Sequence, residues 1–121
     1  MGDQTNHLIR KIVISTGVVT TLAGGSHGSA DNDNGTAASF KFPHGIITDG
    51  TNLYVADTFN YLIRKIVIST GAVTTLAGTG SSGSANGTGT SASFNYLYGI
   101  TTDGTNLYVG DTFNDLIRKI E

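Results

Sequence analysis

The stretch GIITDGTNLYVADTFNYLIRKIVISTGAVTTLAG, at residues 45–78, reads as four short strands separated by three tight turns. The turn sequences DGTN, DTFN and STG supply Asp, Asn and Gly, which tolerate the left-handed backbone that close turns require. Strands joined by such turns pair with their neighbours, so the stretch predicts an antiparallel four-stranded meander. We expect its strands at 45–50, 52–57, 62–68 and 73–78.

The third predicted strand is apolar on both sides. Leu62 and Ile66 point to one face of the strand, whereas Ile63 and Val67 point to the other. Both faces of the sheet therefore need cover. A sheet covered on each side by copies of itself is typical of a β-propeller blade.

The chain repeats this unit. Residues 13–66 and 67–120 are identical at 36 of 54 positions without a gap, and LIRKI occurs three times, beginning at Leu8, Leu62 and Leu116. The predicted fold class is therefore all-β: a propeller of four-stranded antiparallel blades, with two blades per chain and one surplus strand. The N-terminal strand of a split blade is expected at 6–14.

Composition agrees with an all-β chain and narrows its partners. The 121 residues include 17 Gly, and Val, Ile, Thr, Tyr and Phe dominate the patterned segments. The absence of Cys excludes disulfides and thiolate metal sites. The net charge is −2, and six of the seven basic residues fall in three Arg-Lys pairs of the repeat. We therefore expect neither a nucleic-acid nor a membrane partner, and the sequence assigns no compartment.

A short signature marks the turn before each LIRKI segment. It reads Asn-His-Leu at 6–8, Asn-Tyr-Leu at 60–62 and Asn-Asp-Leu at 114–116. Together with FPHGIITDGTNLYVADTFNYLIRKI at 42–66, it resembles the NHL repeat family. The second copy departs from that pattern at Leu97, in place of Pro43, and at Gly110, in place of Ala56. The resemblance implies a propeller, commonly of six blades, that mostly serves as a binding platform; some related propellers are enzymes with a metal on the central axis.

Two blades cannot close a ring, and an open pair leaves apolar faces and strand edges exposed. We expect the chain to be its own partner, with the C-terminal strands of one copy taking up the N-terminal strands of the next. Three copies would give six blades, and rings of two or four copies stay open alternatives. We expect 116–121 to be the displaced surplus strand, because 8–14 belongs to a hairpin with 18–22. The other interpretation is a fragment or engineered piece of a longer propeller, with no evolved function of its own.

Catalytic motifs do not stand out: the sequence has no evident nucleophile triad, phosphate loop or paired carboxylates. The predicted function is a non-enzymatic scaffold or binding module that presents loops and a central channel to a protein or small ligand, without a cofactor. The alternative is a metal-dependent hydrolase or lyase with its metal on the propeller axis.

The predicted ligand site consists of four residues, two at the entrance to the first strand of each repeat. His44 and Tyr98 occupy equivalent positions beside the channel, and three His44 side chains in a trimer could bind Zn²⁺. The simpler interpretation is that His44 packs beside Pro43. Phe42 and Tyr96 alternate with core positions and could stack on a sugar or peptide, although such residues more often belong to the core.

Two further sets of charged residues have a structural and a functional interpretation. Asp31 and Asp33 lie in DNDNG at 31–35, which is similar to the start of a calcium loop; its bidentate Glu is missing, so a solvated loop is the alternative to weak Ca²⁺ binding. The second set is expected to stabilise turns as ion pairs, since it recurs in the repeat, and a catalytic acid beside a cation is the alternative. Its members are Asp57, Asp111, Arg10, Arg64 and Arg118.

Overall fold

A computed structural model describes all residues, 1–121, and contains strands and short 3-10 turns but no α-helix. The strands are β1 (Gly2–Asp3), β2 (Leu8–Ile12), β3 (Val19–Gly24), β4 (Pro43–Thr48), β5 (Asn52–Asp57), β6 (Leu62–Val67), β7 (Val73–Ala77), β8 (Leu97–Thr102), β9 (Leu107–Asp111) and β10 (Leu116–Ile120). The 3-10 turns are Gln4–Asn6, Gly35–Ala37, Thr58–Asn60, Gly89–Ser91 and Thr112–Asn114. The all-β prediction is confirmed. No helix is present that could cross a membrane.

The strands form three antiparallel sheets, which we call the first (β1-β2-β3), the middle (β4-β5-β6-β7) and the third (β8-β9-β10). The middle sheet is the predicted meander, with its first strand beginning two residues earlier than expected. In the first sheet, β1 precedes the segment expected at 6–14 and pairs with Ile9 and Leu8. Its sequence Gly2-Asp3 repeats Gly110-Asp111, the end of β9, which explains why it also forms a strand end.

Stacking of the three sheets creates two apolar cores. Between the first and middle sheets, Ile9 packs with Phe40, Val55 and Ile66, all of them fully buried. The core between the middle and third sheets contains Ala56, Ile63, Ala77, Ala92, Phe94, Leu97, Leu107 and Val109. Each core thus lies between two blades, as expected for consecutive blades of a propeller.

The two outer faces of the stack are open. Ile117 in β10 is 79% exposed, whereas Ile63, its equivalent in the middle sheet, is fully buried. Val19 at the start of β3 is 47% exposed, whereas its equivalent Val73 is 1% exposed. The first and third sheets therefore lack the neighbours that cover the middle sheet on both sides.

Candidate functional site

A row of aromatic side chains runs across all three sheets, on the side where the 3-10 turns between β5 and β6 and between β9 and β10 lie. Neighbouring ring centroids are 4.5–5.2 Å apart, mostly edge to face. This geometry is favourable for aromatic rings and fixes their positions relative to each other. The members of this aromatic row are His27, His7, Phe42, Phe59, Tyr61, Tyr96 and Phe113.

Phe42 and Tyr96 occupy the centre of the aromatic row with left-handed backbone, at φ 53° and 56°. Such angles are unfavourable for a bulky residue, and strain of this kind persists where the surroundings hold it in place. The backbone N–H of Phe42 donates to His7 Nδ1 at 3.3 Å, which links the first sheet to the entrance of β4. Both rings are half-buried, so each combines packing with an accessible edge.

Asp57 and Arg64 form an ion pair that is fully buried in the middle sheet. Arg64 Nη1 lies 2.8 Å from Asp57 Oδ2, and Asn60 Nδ2 and the backbone N–H of Lys41 also donate to this carboxylate at 2.8 Å. Burial raises the pKa of the Asp57 carboxyl, while these hydrogen bonds and the Arg64 charge act in the opposite direction. Arg64 also lies over the ring of Phe40, with its guanidinium carbon 4.9 Å from the ring centroid. The cluster joins the turn, the strand and the preceding loop.

The third sheet repeats this ion pair, whereas the first sheet has a reduced version of it. Arg118 Nη1 lies 2.8 Å from Asp111 Oδ2, with the two side chains 8% and 0% exposed. Arg10 Nη1 lies 3.1 Å from Asp3 Oδ2, and both side chains are partly exposed, at 28% and 21%. The cluster therefore has its full set of partners only where a loop from the preceding blade covers it.

Asp31 lies in the loop between β3 and β4 (25–42), which we call the covering loop, and its carboxylate is bound to the middle sheet. Its Oδ1 accepts from Arg64 Nη2 at 2.7 Å, and its Oδ2 accepts from the Thr75 backbone N–H at 3.1 Å. Asp33, two residues further on, is exposed. The Asp31 carboxylate is thus committed to an ion pair between blades, a role that residue type and spacing alone did not predict.

In the loop between β7 and β8 (78–96), which we call the second loop, Asn86 takes the role of Asp31. Arg118 Nη2 donates to Asn86 Oδ1 at 2.8 Å and to the carbonyl of Ala85 at 3.0 Å. A gapless alignment of the repeats pairs Asn86 with Asn32, so the two loops differ by a local one-residue shift. That shift hid the equivalence of Asp31 and Asn86, which both accept from the buried arginine.

Comparison with known proteins finds relatives that match this chain along its whole length. No family model matches the chain. The chain is 33% identical over 132 residues to Protein SUPPRESSOR OF QUENCHING 1, chloroplastic, of Arabidopsis thaliana, covering all of this chain and 12% of that protein. It is 32% identical over 134 residues to NHL repeat-containing protein 2 of Bos taurus, covering all of this chain and 18% of that protein. The chain consists of NHL-type repeats. The resemblance inferred from the sequence is confirmed.

Solved structures support a partial NHL-type propeller. A structural genomics protein of unknown function from Bacteroides thetaiotaomicron superposes with a TM-score of 0.89 at 30% identity, over 98% of this chain and 31% of that one. An auxiliary nutrient binding protein from Bacteroides ovatus superposes with a TM-score of 0.81 at 27% identity, over 96% of this chain and 32% of that one. The NHL-type chain thus spans about a third of these structures and under a fifth of the two curated relatives.

His44 and Tyr98, at equivalent positions of the two NHL-type repeats, contact each other. Their rings are edge to face with centroids 4.6 Å apart, and burial lowers the pKa of His44. The Nδ1 atom of His44 is buried without a hydrogen-bond partner. Within one chain, no three His, Cys, Asp or Glu side chains lie close enough together to hold a metal ion. An axial metal would therefore need His44 from several copies.

The third sheet of this NHL-type module has an open groove where the middle sheet has its fourth strand. In the middle sheet, β7 lies between β6 and the covering loop, where Asn32 and Val73 exchange backbone hydrogen bonds of 3.1 and 2.8 Å. In the third sheet, the space between β10 and the second loop is a groove of about 530 Å³. Its lining consists of Ala77, Asn86, Gly87, Thr88, Gly89, Ala92, Phe94, Arg118, Lys119, Ile120 and Glu121.

Equivalent glycines in β4 and β8, the first strands of the middle and third sheets, show the same contrast between a covered and an open sheet. A Cβ atom on Gly45 in β4 would collide with the Tyr98 carbonyl of β8, because the strands of adjacent blades approach closely there. A Cβ atom on Gly99 in β8 would meet nothing within 4 Å. The third sheet keeps the glycine of a blade joint on a face that has no neighbour.

Proposed function

We propose that this chain is a non-enzymatic NHL-type scaffold that assembles with copies of itself into a closed propeller and presents the aromatic row and the channel mouth to a ligand. The observation that supports assembly is the complementarity of the two incomplete sheets. The third sheet supplies the first two strands of a blade, β8 and β9. The first sheet supplies the last two, β2 and β3.

The shared blade would have nearly the same strands as the middle sheet. LIRKI in β2 is identical to the first five residues of β6, and VTTLA in β3 is identical to β7. The sequence LYVGD in β9 differs from LYVAD in β5 only at Gly110. The sequence LYGITT in β8 differs from PHGIIT in β4 at Leu97, Tyr98 and Thr101. A blade assembled from β8 and β9 of one copy and β2 and β3 of the next therefore repeats the middle sheet almost completely in its last three strands and at half of the positions in its first strand.

Burial of apolar side chains would drive this assembly. Ile12 and Val19 are 45% and 47% exposed, and their middle-sheet equivalents Ile66 and Val73 are 0% and 1% exposed. Covering these half-exposed side chains contributes roughly 1 kcal/mol each. The shared blade also pairs the free edge of the third sheet, which removes an unpaired strand edge.

The ring proposed here has three copies and six blades, the number common in the family that the chain resembles. Closure would continue the aromatic row from one copy to the next. Half-exposed rings of fixed orientation suit stacking on a sugar or on peptide side chains. We therefore propose the aromatic row, with Phe42 and Tyr96 at its centre, as the recognition surface.

Gly99→Ala tests the assembly without disturbing the separate chain. By equivalence with Gly45, a Cβ atom on Gly99 would collide with β4 of the next copy in the ring. We expect the wild-type chain to elute as a trimer in size-exclusion chromatography with light scattering, and Gly99→Ala to elute as a monomer with an unchanged circular dichroism spectrum. A Gly99→Ala trimer would contradict the proposed blade joint.

An axial metal site is the second candidate, and it rests on the half-buried imidazole of His44 near the start of β4. Burial lowers the pKa of His44 and so favours the neutral imidazole that a metal ligand requires. In a trimer, three His44 side chains could then hold Zn²⁺. Elemental analysis by mass spectrometry should find one zinc per ring in the wild type and none in His44→Ala; a metal-free wild type after incubation with zinc would reject this candidate.

A further inference from the structure

Arg10 and Arg118 occupy equivalent places in β2 and β10, and we infer that Arg10 of a second copy replaces Arg118 beside Asp111 when the shared blade forms. This inference rests on the proposed function and deepens it, because it assigns the arginine that pairs with Asp111 in the shared blade and the strand that has to leave. Both strands read LIRKI, so either can pair with β9 in the same register. The question is which one the structure holds less firmly in its present place.

The hydrogen bonds of the two arginines differ. Arg118 donates to Asp111 Oδ2 at 2.8 Å, to the Ser93 carbonyl at 3.1 Å and to Ala85 and Asn86. We call these four acceptors, which surround the guanidinium, the arginine socket. Arg10 has a single side-chain bond, to Asp3 at 3.1 Å. A guanidinium has five N–H donors, so Arg10 retains most of its donor capacity for a socket that the first sheet does not provide.

The strand that now occupies the socket is weakly attached elsewhere. β10 pairs only with β9, and Leu116 and Ile117 are 41% and 79% exposed. In contrast, β2 pairs on both sides, and Ile9 is fully buried against the middle sheet of its own chain. Exchange of β10 for β2 therefore exposes little apolar surface that was buried before.

β2 also brings the missing fourth strand with it. The β2–β3 hairpin is closed by backbone bonds from Val13 N–H to the Val18 carbonyl at 2.9 Å and from Gly17 N–H to the Val13 carbonyl at 2.7 Å. Entry of the intact hairpin supplies two strands at once and places β3 in the open groove. If β10 stayed, β3 would have to separate from β2 before it could enter.

The exchanged blade has contacts that can be stated from the middle sheet. Thr75 donates to Asp31 through its backbone and its hydroxyl, at 3.1 Å in both cases. By equivalence, Thr21 of the entering hairpin would lie beside Asn86. The segments that leave are 1–6 of the entering copy and 116–121 of the receiving copy.

The test compares Arg10→Gln with Arg118→Gln, using Lys11→Gln as a matched control that removes the same charge from an exposed neighbour. Sedimentation velocity over a range of concentrations gives the association constant of each variant, and circular dichroism confirms that each is folded. Arg10→Gln should weaken assembly about a hundredfold or more, because Asp111 would be buried without its ionic partner in the shared blade. Arg118→Gln and Lys11→Gln should assemble at least as well as the wild type.

Other results would overturn the inference. If Arg118→Gln loses assembly while Arg10→Gln keeps it, β10 stays in the blade. If both variants assemble like the wild type, Arg10 does not replace Arg118 in the socket. A chain ending at Asp115 provides a second readout, since it should assemble as well as the wild type or better, and loss of assembly would contradict the exchange. A wild-type chain that stays monomeric would instead reject the proposed function itself.

Discussion

The buried Asp57–Arg64 pair and the partly exposed Asp3–Arg10 pair provide a matched comparison within one molecule. Asp57→Asn removes the charge from a carboxylate that is fully buried and accepts from three donors. Asp3→Asn makes the same change at the equivalent position of the first sheet, where the side chains are 21% and 28% exposed. The two variants differ in burial and not in chemistry.

The expected loss of stability follows from that difference. Removing one partner of a buried ion pair costs about 3–5 kcal/mol, because the remaining charge stays desolvated. The exposed pair contributes about 0–1 kcal/mol. For a chain of this length, Asp57→Asn should lower Tm by roughly 10–20 °C, whereas Asp3→Asn should lower it by less than about 5 °C.

Urea unfolding followed by circular dichroism measures both free energies of unfolding on the same scale. It should be run at a concentration where every variant has the same oligomeric state, because association stabilises the folded chain. Equal losses in the two variants would refute the account, since burial would then not set the strength of the pair. A loss below about 1 kcal/mol for Asp57→Asn would refute it as well.

Three further predictions follow from particular contacts. Asp49 and Asp103 each accept hydrogen bonds from two backbone N–H groups and from a tyrosine O–H. These bonds favour the ionised carboxylate and hold the pKa of both residues below the usual value of 3.8. Both carboxylates therefore stabilise the fold above pH 4, and this contribution is lost as the pH falls. Unfolding midpoints between pH 2 and 7 should therefore depend less on pH in the Asp49→Asn, Asp103→Asn double variant; an unchanged profile would contradict this role. Phe42 has a left-handed backbone, so Phe42→Gly should be more stable than Phe42→Ala by about 1 kcal/mol in urea unfolding, and the reverse order would exclude backbone strain there. Gly45→Ala should lower the thermal midpoint by several degrees, because its Cβ atom collides with the third sheet, and a midpoint equal to that of the wild type would show that the sheets separate freely.

The sequence was sufficient for the blade because several local signals agree there. Turn residues, alternating apolar positions and the 54-residue repeat all lead to the same four strands, and the family resemblance adds a known architecture. The strand bounds shifted by two residues at Pro43, where a residue that can only start a strand or lie at its edge begins β4.

The loop contacts were beyond sequence reasoning because they depend on tertiary position. Asp31 has a calcium-loop spacing, yet its carboxylate accepts from an arginine 33 residues away in the chain. The aromatic row is similar in this respect, although Phe42 and Tyr96 could be identified from their alternation. Phe59 contacts Tyr96 only where the middle and third sheets stack, and Phe113 contacts Tyr96 where the turn between β9 and β10 lies against the start of β8. The recurrence of Phe in both DTFN turns was the available signal for those two residues.

Native mass spectrometry of the wild-type chain tests the central claim most directly. One chain has a mass of 12.5 kDa, and we expect a dominant species of three times that mass at micromolar concentration. The species should give way to monomer in Gly99→Ala under the same conditions. A wild-type spectrum that contains only monomer would contradict the claim that the two incomplete sheets form one blade.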